Sequence, residues 1–420
     1  MDSFVLNGPN KVEGSIKADG SKNAALPIIA GALLISKGES VIRNVPPLRD
    51  IYTLIEMLKF LGATVSYDAK AEVMTVEAKT ITEHTAPYEL MRQMRASFLV
   101  LGPILARTGE ARVSLPGGCS LGARPVDYHI KGFEGLGAKI SEKAGYIIAE
   151  GKPLLGGEIY FDRPSHTGTE NMLYGAVFAK HRTVITNAAC DPEIVDVANF
   201  LNKAGAKIHG VGTPTIVIEP VSELHAVDHT VSGDRLVAGT YLYGAAVTGG
   251  KVEVTGVPVE DLTMVIFKLK EMGCELTLAG DKVTLKAPRR LSPVSLTTFP
   301  FPGFPTDLQA CAMAAATVAE GTSHIKETVF VDRFSHTMEM RRLGADIQVS
   351  ASEAIINGVP KLQGAEVMAP DIRAGAGLVL ACLAAHGPSK ILRIYHVDRG
   401  YYRLEEKLAS LGVDISREKD

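Results

Sequence analysis

A glycine that recurs about every 70 residues constrains the fold of this 420-residue chain more than any other feature. Each time, an apolar residue precedes the glycine, a small residue follows it, and another apolar residue stands three places on. The glycines are Gly62, Gly137, Gly205, Gly273, Gly344 and Gly412, at intervals of 75, 68, 68, 71 and 68 residues. The chain is therefore interpreted as six repeats of similar structure.

The order of elements inside a repeat is also constant. A helix of small residues comes first, as at 23–35 and 310–319, and a short strand follows, as at 40–42 and 252–254. An amphipathic helix comes next, with apolar side chains at helical spacing. The recurring glycine suits the left-handed C-cap of that helix, and two strands complete the repeat. The pattern predicts a βαβαββ unit.

The helices of small residues indicate where the core lies. The run 310–316 is Ala, Cys and Met only, so this helix is apolar on every side and is expected to be buried. We therefore predict an α/β protein of two inside-out lobes, each a threefold repeat of βαβαββ with buried helices and outer sheets. Residues 22–230 are expected to form the first lobe, which carries the Cys119 loop. Residues 1–21 and 231–420 are expected to form the second, with a strand at 4–6 completing its sheet.

Composition excludes several function classes. A net charge of −3 argues against a nucleic-acid surface. The longest apolar run, 24–35, is far shorter than the roughly 20 residues that cross a bilayer, and the N-terminus lacks the pattern of a signal peptide. Five scattered cysteines without a Cys-x-x-Cys pair indicate neither a disulfide framework nor a zinc site. We expect a cytoplasmic protein with no cofactor, metal, nucleic-acid or membrane partner.

The segment 115–127 is the most informative stretch for chemistry. It holds three glycines and two prolines, which indicate a loop, and it presents Cys119 five residues before Arg124. The other four cysteines have apolar surroundings typical of core thiols. Cys119 is either an inert surface thiol or an acid whose pKa is set by charged neighbours.

Charged or polar residues begin the buried helix in each repeat. Lys22 stands where backbone N–H groups already favour an anion, although ordinary helix capping explains a Ser-Lys-Asn start equally well. Helix starts from two facing lobes would line one cleft. The corresponding positions are at 94–97, 169–171, 234–235, 305–307 and 371–373.

Two further features point to anion binding. Arg333 and Arg399 follow an aspartate in the same turn of the fifth and sixth repeats, and a guanidinium suits phosphate or carboxylate. The proline-rich run 299–305 leads into Asp307, which either caps the helix or accepts a proton from a substrate hydroxyl.

Along nearly its whole length the sequence resembles the UDP-N-acetylglucosamine 1-carboxyvinyltransferases. The motifs that carry the resemblance lie at 20–27, 94–97, 115–127, 190–196, 304–307, 327–330 and 395–401. The resemblance implies transfer of the enolpyruvyl group of phosphoenolpyruvate to the 3-hydroxyl of UDP-N-acetylglucosamine, with release of phosphate, in peptidoglycan precursor synthesis.

The resemblance also implies roles for single residues. Cys119 would protonate the methylene carbon of phosphoenolpyruvate, and Asp307 would take the proton of the sugar hydroxyl. Cysteine at position 119 further implies alkylation by fosfomycin. Phosphoenolpyruvate would be held by Lys22, Asn23, Arg124 and Arg399, with Arg373 nearby. The nucleotide sugar would be held by Arg95, Arg124, Pro125, Val126, Asp127, Arg163, Ser165, Asp307 and Val329, and Arg333 is a further candidate ligand for an anionic group.

Three alternatives stay open. The first is enolpyruvyl transfer to shikimate 3-phosphate, which uses no loop cysteine. The second is a protein like the RNA 3′-phosphate cyclases, built from related repeats, which would show a basic face. The third is a non-catalytic scaffold, for which converging cations would serve no purpose.

Overall fold

The structure is a computed structural model that describes residues 2–115 and 126–419. Its α-helices are α1 (Lys22–Gly31), α2 (Arg49–Phe60), α3 (Tyr88–Met91), α4 (Leu101–Thr108), α5 (Asp127–Gly135), α6 (His166–Val177), α7 (Pro192–Lys203), α8 (Arg235–Val247), α9 (Thr263–Glu271), α10 (Gln309–Ala316), α11 (His336–Arg342), α12 (Ile372–Ala384) and α13 (Leu404–Ser410). Short 3₁₀ helices lie at Ala32–Leu34, Arg95–Val100, Val259–Leu262, Thr306–Leu308 and Val397–Arg399.

The strands are short. The first fourteen are β1 (Asp2–Gly8), β2 (Glu13–Lys17), β3 (Ser40–Arg43), β4 (Thr64–Asp68), β5 (Val73–Glu77), β6 (Thr85–Ala86), β7 (Glu110–Ser114), β8 (Lys139–Lys143), β9 (Tyr146–Glu150), β10 (Glu158–Tyr160), β11 (Thr183–Thr186), β12 (Lys207–His209), β13 (Thr215–Glu219) and β14 (Asp228–Thr230). The others are β15 (Lys251–Thr255), β16 (Glu275–Ala279), β17 (Lys282–Lys286), β18 (Ser295–Thr297), β19 (Thr322–Lys326), β20 (Asp346–Ser350), β21 (Glu353–Asn357), β22 (Leu362–Gln363), β23 (Glu366–Met368), β24 (Ala385–Leu392) and β25 (Ile415–Lys419).

The chain divides into two compact units. Unit 1 comprises residues 1–19 and 233–420, and unit 2 comprises residues 20–232. Each unit holds three of the six sheets. The division into a first lobe of residues 22–230 and a second lobe of residues 1–21 and 231–420 stays a prediction.

The six sheets follow one pattern, which confirms the predicted sixfold α/β architecture. In a typical sheet the strand before the buried helix pairs in parallel with the strand after it, and a hairpin completes the sheet. In the second repeat β6 lies parallel to β7, β7 is antiparallel to β9, and β9 is antiparallel to β8. The corresponding orders are β14-β3-β5-β4, β10-β11-β13-β12, β2-β15-β17-β16 and β18-β19-β21-β20.

Two strands are exchanged between sheets in a way that the repeat alone does not reveal. β2 precedes α1 in the chain but lies parallel to β15 in unit 1, while β14 precedes α8 but lies parallel to β3 in unit 2. β1 takes the place of the missing last strand of the sixth repeat and pairs antiparallel with both β24 and β25. The strand predicted at 4–6 lies within β1, which completes the sheet of the sixth repeat.

The recurring glycines all adopt the left-handed backbone conformation predicted for them. Their φ angles lie between 86° at Gly412 and 106° at Gly205. A residue with a Cβ is strained in that region, so glycine lets each amphipathic helix end and turn into the following strand.

The helices of small residues are buried, as predicted. Every residue of α8 and α10 is buried, and α12 is buried from Arg373 to Leu383. Strands such as β13 and β15 bury alternate side chains and leave the others half-buried or exposed, so the sheets form the outer layer. The helix predicted to start at 94–97 differs, because residues 95–100 form a 3₁₀ turn before α4. Within residues 2–115 and 126–419, none of the helices is long and apolar enough to span a lipid bilayer.

The contact between α10 and α12 depends on the absence of a side chain at Gly377. A Cβ there would lie 2.7 Å from both the Cβ and the carbonyl oxygen of Ala310. We expect Gly377→Ala to lower the free energy of unfolding by about 1 to 3 kcal/mol, because backbone atoms must move apart. Urea denaturation measures this.

Gly135→Ala is the matched control. Gly135 also lies in a helix, but a Cβ there would meet its nearest neighbour at an ordinary 3.5 Å. Equal effects of the two substitutions would show that backbone packing at Gly377 is not the constraint.

Candidate functional site

The described residues do not include every predicted site residue. Cys119, Arg124 and Pro125 lie outside the described ranges, as does the side chain of Arg95. Their roles stay predictions. Of the remaining cysteines, Cys274, Cys311 and Cys382 are buried as expected for core thiols, and burial raises the pKa of each to about 12. Cys190 is only half-buried.

The start of α1 holds a buried cation in unit 2. Ser21 caps the helix by accepting a hydrogen bond from the Ala24 N–H. The Lys22 Nζ lies 2.8 Å from a carboxylate oxygen of Asp50 at the start of α2, and both side chains are at least nine-tenths buried. Gly20 permits this turn, because a Cβ there would lie 1.7 Å from the Asn44 carbonyl oxygen. Asp50, which sequence reasoning missed, fixes the position of the Lys22 ammonium.

A hydrogen-bond chain fixes the tautomer of His129 in α5, close to Val126 and Asp127. Asn171 Oδ1 accepts from the Gly102 N–H, so the Asn171 amide group donates to His129 Nδ1 at 2.8 Å. His129 Nδ1 must therefore be the acceptor, and Nε2 carries the proton that faces the Thr167 hydroxyl at 3.2 Å. The imidazole supports the start of α5.

The predicted ligands that precede α6 differ in their exposure to solvent. Arg163 is exposed, whereas Ser165 is half-buried and caps α6 by accepting a hydrogen bond from the Gly168 N–H. His166, the first residue of α6, is surrounded by carboxylates. Burial opposes its charge, but Glu170, Glu193 and Asp191 outweigh that effect and raise its pKa well above the usual value.

In unit 1 the structure brings Asp307, Arg333 and Arg373 into one cluster. One carboxylate oxygen of Asp307 accepts from Arg333 Nη1 at 2.7 Å, and the other accepts from Arg373 Nε at 3.0 Å. Both arginines are nine-tenths buried or more, while Asp307 keeps 25% of its side chain exposed. The carboxylate is thus fixed in orientation and still accessible.

Arg373 is the most deeply placed cation of this cluster. Asp371 caps α12 by accepting from the Arg373 and Ala374 N–H groups, and the guanidinium lies over the Tyr401 ring at 5.3 Å. Burial opposes its charge, but Tyr401, Asp307 and Asp234 raise the pKa of the guanidinium. Among the described residues, no hydrogen-bond acceptor serves its buried Nη1. A buried, permanently charged donor of this kind suits an oxyanion.

Glu327 connects the parts of this cluster, and sequence reasoning missed it as a functional residue. Its carboxylate is fully buried and accepts hydrogen bonds from the Thr298 and Thr306 hydroxyls. It also accepts from the backbone N–H groups of Val329 and Phe330. Since Thr306 precedes Asp307 and in turn accepts from Arg333, one carboxylate sets the positions of Asp307 and Val329. A glutamate that directly follows β19 and precedes a turn is the local signal that points to it.

Arg399 lies in a 3₁₀ turn that the C-terminal strand holds in place. Arg417 of β25 donates to both oxygens of Asp398 at 2.6 and 3.0 Å, and to Glu405 of α13 at 2.6 Å. Its guanidinium also lies 5.1 Å from the centre of the Phe4 ring. Arg417 therefore anchors the turn that presents Arg399.

Comparisons with known proteins decide the family. The model of the EPSP synthase (3-phosphoshikimate 1-carboxyvinyltransferase) family matches residues 6–408. A UDP-N-acetylglucosamine 1-carboxyvinyltransferase 2 of Carboxydothermus hydrogenoformans is 50% identical, and a UDP-N-acetylglucosamine 1-carboxyvinyltransferase of Myxococcus xanthus is 48% identical, each over 100% of both chains. This chain belongs to the carboxyvinyltransferase family. It is therefore an enzyme that transfers an enolpyruvyl group.

Solved structures agree with the fold of this carboxyvinyltransferase. The enolpyruvyl transferase NikO from Streptomyces tendae superposes with a TM-score of 0.90 at 25% identity, covering 100% of this chain and 99% of that one. EPSP synthase from Acinetobacter baumannii gives a TM-score of 0.77 at 20% identity over both full chains, which concerns the fold alone.

Glu327→Ala is expected to lower the free energy of unfolding by at least about 2 kcal/mol, because buried N–H and hydroxyl donors lose their acceptor. Turnover should fall as well, since Asp307 loses its support. Glu327→Gln keeps one oxygen and should be milder. Urea denaturation and steady-state rates measure both effects.

Glu353→Ala is the control for Glu327, because Glu353 lies exposed on neighbouring β21. Its effect on stability should stay within about 0.5 kcal/mol. A Glu327→Ala protein as stable and active as this control would contradict the positioning role.

We expect the stability of the protein to depend on pH because of His336, which lies close to Arg333. It is 1% exposed, neither ring nitrogen has a hydrogen-bond partner among the described residues, and burial lowers its pKa to about 4. Unfolded histidine titrates near 6.5, so between about pH 4 and 6.5 only the unfolded chain binds this proton. Stability should fall as the pH drops through that window. In His336→Gln the free energy of unfolding, followed by urea denaturation, should fall less steeply; parallel profiles would refute the assignment.

Proposed function

We propose that this carboxyvinyltransferase moves the enolpyruvyl group of phosphoenolpyruvate to the 3-hydroxyl of UDP-N-acetylglucosamine, with release of phosphate, in peptidoglycan precursor synthesis. Two relatives of that name match the chain from end to end at 50% and 48% identity. The nearest alternative acceptor, shikimate 3-phosphate, has support only from the wider family and from structures at 20% identity.

The observation that carries the proposal is the pairing of Asp307 with Arg373. A partly exposed carboxylate, fixed by two guanidiniums, lies beside a buried guanidinium nitrogen that lacks an acceptor among the described residues. A hydroxyl nucleophile needs a base, and phosphoenolpyruvate needs cations for its phosphate and carboxylate. The cluster offers both functions within one hydrogen-bonded group.

The proposed reaction has two stages. Cys119 gives its proton to the methylene carbon of phosphoenolpyruvate while the sugar 3-oxygen attacks the neighbouring carbon and Asp307 takes the hydroxyl proton. This produces a tetrahedral intermediate that carries a methyl group, a phosphate and the new ether bond. The methyl group then returns a proton to the Cys119 thiolate as the C–O bond to phosphate breaks, and the leaving phosphate takes the proton held by Asp307, which yields the enolpyruvyl ether and free phosphate.

The cations are proposed to divide their tasks. Lys22, Asn23, Arg124 and Arg399 would hold phosphoenolpyruvate, with Arg373 beside them. Lys22 would deliver its charge from the position that Asp50 fixes, and Arg399 from the turn that Arg417 anchors. The nucleotide sugar would contact Arg95, Pro125, Val126, Asp127, Arg163, Ser165, Val329 and Arg333. Pre-positioned charges favour catalysis because they need little rearrangement as charge develops in the transition state.

The chemistry of the proposed acid and substrates also supports a cellular location for the reaction. The proposed acid works only as a thiol, which a reducing compartment preserves. Both proposed substrates are phosphorylated compounds of intermediary metabolism. We therefore place the reaction in the cytoplasm.

Phosphate release from phosphoenolpyruvate tests the proposal, with either UDP-N-acetylglucosamine or shikimate 3-phosphate as acceptor. We expect release only with the nucleotide sugar, together with a product heavier by one enolpyruvyl group in mass spectrometry. Release with shikimate 3-phosphate alone would replace the proposal by its alternative. Absence of release with both acceptors would refute it.

Cys119→Ser should lower kcat by at least about a hundredfold, because a hydroxyl is a far weaker acid than a thiol. Asp307→Asn should cause a comparable loss by removing the base. Cys190→Ser is the control and should retain activity, because Cys190 is the one cysteine among the described residues that is not fully buried. Fosfomycin should alkylate the wild type and Cys190→Ser but not Cys119→Ser. Near-normal turnover in Cys119→Ser would refute its role as acid.

A further inference from the structure

Three side chains from two helix starts of unit 2 form a cluster that takes no part in the proposed proton and group transfers. His166 is the first residue of α6, Asp191 is the N-cap of α7, and Glu193 lies in the first turn of α7. One ligand-type atom of each lies within 4.8 Å of the others. The sequence analysis predicted no metal site, since residues 25 positions apart carry no metal-binding spacing.

The two imidazole nitrogens of His166 face different carboxylates. Nδ1 lies 3.4 Å from Glu170 Oε1, and Nε2 lies 3.9 Å from Glu193 Oε2. The second distance is too long for a hydrogen bond. It falls within the roughly 3 to 4.2 Å that separates two ligands of one ion when each lies about 2.1 Å from it.

Glu170 is a buried carboxylate that pairs with the other side of the His166 imidazole, 3.4 Å from Nδ1. It is 1% exposed, and within the described part of the chain neither of its carboxylate oxygens has a hydrogen-bond partner. Its side chain points at the Nδ1 side of His166. Histidines that bind metals usually donate their other N–H to a carboxylate, which fixes the ring and raises its basicity. Glu170 stands where such a carboxylate belongs.

We propose that His166 Nε2, Asp191 and Glu193 bind one divalent first-row transition-metal ion, with Glu170 orienting the imidazole from behind. One imidazole and two carboxylates suit Mn²⁺ or Zn²⁺ better than Mg²⁺, which prefers oxygen ligands and retains its water. A bound ion would join the starts of α6 and α7 and add to the stability of unit 2. The site needs neither substrate, so it goes beyond the proposed function.

Calorimetric titration of the metal-free full-length protein tests the site, with MnCl₂, ZnCl₂ and MgCl₂ as separate titrants near neutral pH. We expect one Mn²⁺ or Zn²⁺ per chain, weaker binding of Mg²⁺, and a higher unfolding temperature with the preferred ion. His166→Gln and Glu193→Gln should each weaken binding by at least about a hundredfold, because each removes a ligand. Glu170→Gln should weaken it by about tenfold.

His225→Gln is the matched control. His225 also lies 3.9 Å from a glutamate, Glu223, but this pair is exposed and belongs to no three-ligand cluster among the described residues. Its substitution should leave Mn²⁺ affinity unchanged. Circular dichroism identifies the variants that fold. If His166→Gln does not fold, the Mn²⁺ affinities of Glu193→Gln and Glu170→Gln test the site.

Absence of binding in the wild type, or equal binding in wild type and folded ligand variants, would overturn the proposal. Failure of enolpyruvyl transfer with intact Mn²⁺ binding would instead count against the proposed function alone.

Discussion

Close packing of helices rich in alanine and glycine is the constraint on which each unit depends. α10 meets α12 at Gly377, where a single added carbon would collide with the Ala310 backbone. Helices this narrow can be surrounded by protein on every side, so the sheets have to lie outside and face solvent with one surface. The inside-out arrangement follows from the size of these residues more than from any single strong interaction.

A buried helix rich in alanine and glycine holds few charged side chains along its length, so most charged groups gather at its start. Lys22 begins α1, Asp234 caps α8, and Asp371 caps α12 two residues before Arg373, the buried cation that holds Asp307. Backbone N–H groups at these starts need acceptors and favour negative charge. Lys22 and Arg373 therefore lie at helix starts, where the fold already concentrates backbone donors.

Burial of those charges makes their supporting residues as important as the ligands themselves. Asp50 holds Lys22, Glu327 holds the turn of Asp307, and Arg417 holds the turn of Arg399. A buried charge that loses its partner costs far more than a surface ion pair contributes. Each supporting carboxylate or guanidinium thus fixes the position of a candidate site residue.

The sequence by itself determined the sixfold period, the buried helices and the left-handed glycines, because these depend on local spacing and residue size. The roles of Lys22, Asp307 and Arg373 stay predictions that rest on the family resemblance and on helix-start chemistry. Only the tertiary structure decided the exchange of β2 and β14 between sheets, the clamp of Asp307 between Arg333 and Arg373, and the meeting of His166 with Glu193. These features join residues 26 to more than 200 positions apart. Local periodicity carries no information about such pairings, since they are set by how the repeats pack and close upon one another.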